Sequence, residues 1–231
     1  MVYAVAGLAT ALQLATAADI TGIVNLKGTP PAEKEIIPLK DDATCGKFYT
    51  TMPTTHFYVV GAKGELADVV VMLKGITGKS TGASAAPVIV DQKGCLYTPQ
   101  ILAVQTGQTI TIRNSDPVLH NIHAIPTAAG NTEENKAQMP GGANLSFSFS
   151  KPENFMKFKC DVHPWMFAWV TVVDHPWFAV TDKDGKYTIK DVPAGKYTVT
   201  ALHRKAAPAG VDQEVEVKAD GAKADFTLEV K

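Results

Sequence analysis

Leu145-Ser146-Phe147-Ser148-Phe149-Ser150 carries an apolar side chain at every second position, the spacing of a strand with one face buried and one face wet. A helix cannot use such a run, because its buried positions recur every three or four residues. Similar runs occupy Ile20–Leu26, Val69–Leu73, Pro87–Val90, Gln108–Ile112, Phe155–Cys160, Phe167–Val173, Tyr187–Ile189, Tyr197–Leu202, Val211–Val217 and Phe226–Val230. Most of the 18 Gly and 14 Pro lie between them. Short strands separated by turn signals predict an all-β protein of the sandwich or barrel type.

The chain has 231 residues, enough for two small sandwiches. After Val173 a fresh hairpin pattern begins, with Asp184-Gly185 and Pro193-Ala194-Gly195 as tight turns between strand formers. The expected division is therefore residues 18–174 as one sandwich with an N-terminal extension, and 175–231 as a second. A net charge of −1 offers no basic face for nucleic acid. Residues 4–18 carry no charge, but they are too few to cross about 30 Å of hydrocarbon, so no membrane span is expected. Ala15-Thr16-Ala17 fits the small-residue rule for cleavage, and residues 1–17 read as a signal peptide that sends the protein to the periplasm or beyond.

Three cysteines in an exported chain leave one pair and one thiol kept for another purpose. Cys45 sits in a polar loop and Cys95 in a turn, so a Cys45–Cys95 bridge would tie down the long irregular connection over 27–55. Cys160 has different surroundings. It ends a run in which Met156, Phe158 and Cys160 share one strand face and Lys157 and Lys159 the other, so its thiol points inward. Asp161-Val162-His163-Pro164-Trp165-Met166 follows, giving Cys-x2-His-x2-Met in one short loop. His120 stands in a second loop, Asp116–His123, after the strand that ends near Arg113. Thiolate, two imidazoles and a thioether are the donor set of a trigonal copper site with a long axial contact.

The stretches HNIH at 120–123 and CDVHPWM at 160–166 resemble the small blue copper proteins, the cupredoxins, and among them the short-loop amicyanin type. The resemblance covers residues 54–173 and implies a Greek-key β-sandwich that holds one type 1 copper and passes single electrons to a redox protein partner. It implies His120, Cys160 and His163 as equatorial ligands and Met166 as the axial one. It further implies that Asn121 hydrogen-bonds across to the Cys160 loop. His123 reads as structural. Pro164 and Trp165, with Met139-Pro140, are expected to form an apolar collar for docking around an exposed edge of His163. Residues 176–231, with DKDG at 182–185 and VPAGKYTV at 192–199, resemble carboxypeptidase regulatory-like modules. That likeness implies a small transthyretin-like sandwich without catalysis.

An oxidase or nitrite reductase would place histidines beside the cysteine ligand, whereas Cys160 is flanked by Lys159 and Asp161. The chain is therefore expected not to be an enzyme. The alternative to a carrier is a copper store or delivery protein. His175 and His203 lack a carboxylate or thiolate nearby in sequence and are expected to be ordinary packing residues.

Overall fold

The computed structural model describes residues 17–230, so the expected signal peptide lies outside the described residues apart from Ala17. Regular structure among them is almost entirely β, in four sheets. Two strands come first, β1 (Ala17–Lys27) and β2 (Val70–Leu73). Between them run a single α-turn, Ile37–Asp41, and a 3-10 turn, Cys45–Phe48.

Next come β3 (Val88–Gln92), β4 (Tyr97–Thr98), β5 (Ile101–Gln105), β6 (Ile110–Asn114), β7 (His120–Ile125), β8 (Glu134–Gln138), β9 (Leu145–Phe147), β10 (Glu153–Lys159) and β11 (Phe167–Val173). They form two sheets, in the orders β5-β11-β10-β7-β8 and β4-β3-β6-β9. Val90, Ile110, Ile112 and Phe147 from the second sheet meet Val104, Ile122, Met156, Phe158, Ala168 and Val170 from the first in one apolar core. The alternation of β10 works as the sequence requires: Met156, Phe158 and the following Cys160 are buried, while Lys157 and Lys159 are partly exposed.

The remaining strands are β12 (Phe178–Val180), β13 (Lys186–Pro193), β14 (Gly195–His203), β15 (Ala207–Val217), β16 (Ala222–Lys223) and β17 (Phe226–Glu229). A division at residue 174 would leave β1 and β2 with the first core, but both pair with this C-terminal group. Strand β1 lies antiparallel to β13 and parallel to β16 and β17, and β2 lies between β12 and β14. Their apolar residues Ile20, Val24, Val71 and Leu73 join Ile189, Val199, Phe226 and Leu228 in a second core. Alternation shows that a strand has a face to bury and says nothing about which sheet receives it. Where the two cores meet, Val70, Ile101 and Leu202 are buried together, and the Arg204 guanidinium stacks 4.7 Å from the Trp169 ring and 5.2 Å from Phe57.

His203 sits at this junction with its ring 5.3 Å from Tyr58. Its Nδ1 accepts N–H bonds from Ala206, at 3.0 Å, and Lys205. Burial, helped by the neighbouring Arg204 charge, pushes its pKa down to about 4, against about 6.5 for an unfolded histidine. The unfolded chain therefore binds the extra proton between these values. Stability contributed by neutral His203 is expected to be complete above pH 6.5 and to be lost as pH falls towards 4, by about 3 kcal/mol in all. Urea unfolding of the wild type and His203→Gln between pH 7 and pH 4 measures this, and equal pH slopes for the two proteins would contradict it.

Candidate metal centre

Two loops converge at one end of the first sandwich. The chain runs from β6 through Ser115–Leu119 into β7, whose first residue is His120; what the sequence reads as a loop over Asp116–His123 is therefore strand from His120 onward. Strand β10 delivers Cys160, and a tight turn closed by Met166 N–H donating to the His163 carbonyl (2.9 Å) and Cys160 N–H to the Met166 carbonyl (3.0 Å) brings His163 back beside it. The two strands are adjacent, with Lys159 paired opposite His123.

The ligating atoms of His120, Cys160 and His163 lie within 4.8 Å of one another, and all three residues are buried. Cys160 Sγ is 3.7 Å from His163 Nδ1. A first-row ion at about 2.3 Å from sulfur and about 2.05 Å from nitrogen spans that separation at a trigonal angle. The two Nδ1 atoms, of His120 and His163, are 3.0 Å apart, the bite of two such bonds meeting at about 95°. Two imidazole lone pairs at that distance repel unless a proton or a cation is held between them. Met166, on the same loop, is fully buried.

The surroundings prepare each donor. His120 Nε2 donates to Asp116 Oδ2 at 2.9 Å, which fixes the ring with Nδ1 turned towards the trio; burial pushes the pKa of this imidazole down, but its bonds to Asp116 and Cys160 outweigh that and hold it above the ordinary histidine value. Asp116 in turn accepts the N–H groups of Gly94 and Cys95, both at 2.7 Å. Burial pushes the Cys160 thiol up, but the His120 ring and the backbone N–H groups of Asn121, His163 and Val162 outweigh it, and the pKa is lowered overall. Burial and the His120 charge hold His163 below the ordinary histidine value, so it presents a lone pair. Asn121 Oδ1 accepts the Asp161 N–H at 2.7 Å and lies 3.2 Å from Cys160 Sγ, spanning the two loops. His123 bonds Asp161 at 3.0 Å and Glu133 at 2.6 Å, away from the trio.

Sequence reasoning missed Asp116, although its place four residues before His120 on the same loop was the available signal. Asp116→Asn is expected to weaken metal binding about 10- to 100-fold, measurable by chelator competition. An unchanged affinity would show that the carboxylate does not orient the imidazole.

The Cys45–Cys95 disulfide is present, and its position is closer to the centre than the sequence indicates. Both sulfurs lie within 4.8 Å of a ring nitrogen of His163, and Cys95 Sγ is equally near His120 and Asp116. The bridge lays the 3-10 turn over the His163 side of the site. Leu39, Cys45 and Cys95 form a small apolar cluster against which Ile36, Tyr49, Met52 and Trp165 pack. Trp165 donates its Nε1–H to the Cys95 carbonyl at 3.0 Å, so it is half-buried beneath the extension instead of standing at the rim. Pro164 and Val162 on the Cys160 loop, Leu119 beside His120, and Met139 next to Gln138, which pairs with His120, are exposed apolar residues.

His175 donates Nε2–H to the Leu73 carbonyl and accepts the Trp177 N–H. With Nδ1 of His203 also bonded within its own turn, the structure does not bring this pair together as a metal site.

No protein-family model matches the chain, and no curated protein sequence does either. Solved structures match in part. An oxidised amicyanin variant is 21% identical over 45% of this chain and 98% of its own, with a TM-score of 0.34. A purple cupredoxin from Nitrosopumilus maritimus is 26% identical over 38% of this chain and 100% of its own, at 0.31. The copper-containing nitrite reductase of Thermus scotoductus SA-01 is 22% identical over 39% of this chain, which spans only 23% of that enzyme, at 0.35.

Proposed function

We propose that this protein is a type 1 copper protein, a non-enzymatic carrier of single electrons for a redox protein partner in the periplasm or outside the cell. The observation that carries this reading is the buried trio of one thiol and two imidazole nitrogens with the bite of a single trigonal ion. Its ligands would be His120, Cys160, His163 and, axially, Met166. Bound copper supplies a one-electron couple. The chain's own contribution is rigidity: Asp116 fixes His120, the backbone amides hold the Cys160 sulfur as thiolate, and Asn121 locks one loop to the other. A site whose donors cannot move and from which water is excluded changes little between oxidation states.

Leu119, Met139, Val162 and Pro164 form the docking rim in this reading, in place of Trp165. With near-zero net charge there is little long-range steering, so encounters depend on this apolar contact and are brief. A delivery protein would need donors open to exchange, and burial of all three argues against that alternative. The C-terminal strands, completed by β1 and β2, make a transthyretin-like sandwich without catalytic residues.

The test is addition of Cu(II) to the purified protein, which should give one equivalent bound and an intense thiolate-to-copper band near 600 nm. A colourless complex would sink the reading. Met166→Leu is expected to keep both copper and band while the reduction potential, followed by redox titration, rises. Loss of copper from that variant would make Met166 a principal ligand and the site one of another type.

A further inference from the structure

All three cysteines of this chain converge on one imidazole. Cys160 Sγ is 3.7 Å from His163 Nδ1, and both sulfurs of the Cys45–Cys95 bridge lie within 4.8 Å of a ring nitrogen of the same residue, every group being buried. A staple for the extension needs only two cysteines in facing loops and has no reason to stand against a metal-ligating histidine. As a disulfide the pair is a poor ligand; as thiolates it is a soft, monovalent-copper-selecting pair.

We propose that Cys45, Cys95 and His163 form a second copper(I) site once the disulfide is reduced. A dithiol reductant attacks one sulfur and forms a mixed disulfide. Its second thiol then releases the protein as two free thiols and leaves as a cyclic disulfide, so two electrons and two protons pass to Cys45 and Cys95. Binding of copper(I) displaces the two protons, one from each sulfur. The Cα atoms of the pair are 5.8 Å apart. Rotation about two Cα–Cβ bonds, with the backbone in place, separates the sulfurs to the about 4 Å that two thiolates on one trigonal ion need. The third donor, His163, comes from the copper loop.

Two further features favour opening at this point. Cys95 has φ +56°, a left-handed conformation that costs a non-glycine residue on the order of 1 kcal/mol. The turn carrying Cys45 has four residues, and beside its apolar packing the side-chain hydrogen bond from this segment to the facing turn is Tyr49 Oη donating to the Gly94 carbonyl at 2.8 Å. Lifting this turn admits a reductant. The site shares His163 with the proposed carrier centre and takes no donor from Cys160, so a Cys160→Ser background tests it apart from the carrier reading.

The experiment uses full-length Cys160→Ser protein, with its disulfide intact or reduced anaerobically by a phosphine that is then removed. Copper(I) affinity is measured by competition with bicinchoninate. The reduced protein should bind one copper(I) at least about 100-fold more tightly than the oxidised protein. X-ray absorption should show two sulfur neighbours and one imidazole nitrogen. Cys45→Ser and His163→Ala, each added to the Cys160→Ser background, should remove most of the gain. Equal affinity in the two redox states, a gain indifferent to His163, or collapse of the far-ultraviolet circular dichroism on reduction would each overturn the proposal.

Discussion

Cys160→Ser is expected to abolish the intense visible band of the copper-loaded protein and to lower copper affinity by several orders of magnitude, because a serine hydroxyl does not ionise at neutral pH and is a poor partner for copper. The fold should survive. Cys160 Sγ contributes a small buried volume at the end of β10, and a hydroxyl can still receive the Asn121, His163 and Val162 amides that now face the sulfur. The measurement is an absorption titration with Cu(II) beside thermal unfolding of the apoprotein. Retention of an intense thiolate band would remove Cys160 from the site.

Removing the bridge, in Cys45→Ser/Cys95→Ser, is expected to cost about 4 kcal/mol. The pair closes a loop with a sequence separation of 50, and freeing that loop in the unfolded chain carries an entropy of this size. The loss should appear as a lower urea midpoint at nearly constant cooperativity. It should be accompanied by faster access of small reductants to copper, since the extension then no longer covers His163. A midpoint within error of the wild type would mean that the apolar cluster around Leu39 holds the extension unaided.

Much of the centre was legible because its residues obey local rules. The inward aim of Cys160 follows from the alternation of Met156 and Phe158, and the short turn after it returns His163 to its side. Strand β7 was hidden by the site itself: His120 and Asn121 occupy buried positions where a strand pattern calls for apolar side chains. Strand β5, Ile101–Gln105, is buried at four of its five positions and so shows no alternation at all. The covering of Trp165 had no signal either, because residues 28–56 fold against the site through scattered contacts and a covalent bond instead of through a period. The partners of β1 were illegible for a related reason, since two facing strands carry the same pattern whichever sheet they belong to.

The parallel pairing of β1 with β17, Val24 opposite Phe226 and Lys27 opposite Glu229, sets an order of events in biosynthesis. A nascent chain makes β1 before the strands of the other sandwich and its partner β17 after them, with about 200 residues between the two; at 5–20 residues per second the wait is on the order of ten to forty seconds. Until β12, β13 and β14 are made, β1 and β2 offer unpaired edges to any neighbouring chain, and the β17 side of β1 stays open longest, while the sandwich formed by β3–β11 already has every strand it needs. The candidate metal centre can therefore assemble before the second group of sheets is complete, and a ribosome that stops before Phe226 would release a protein with that cluster formed and a sheet edge open, a natural substrate for quality-control proteases.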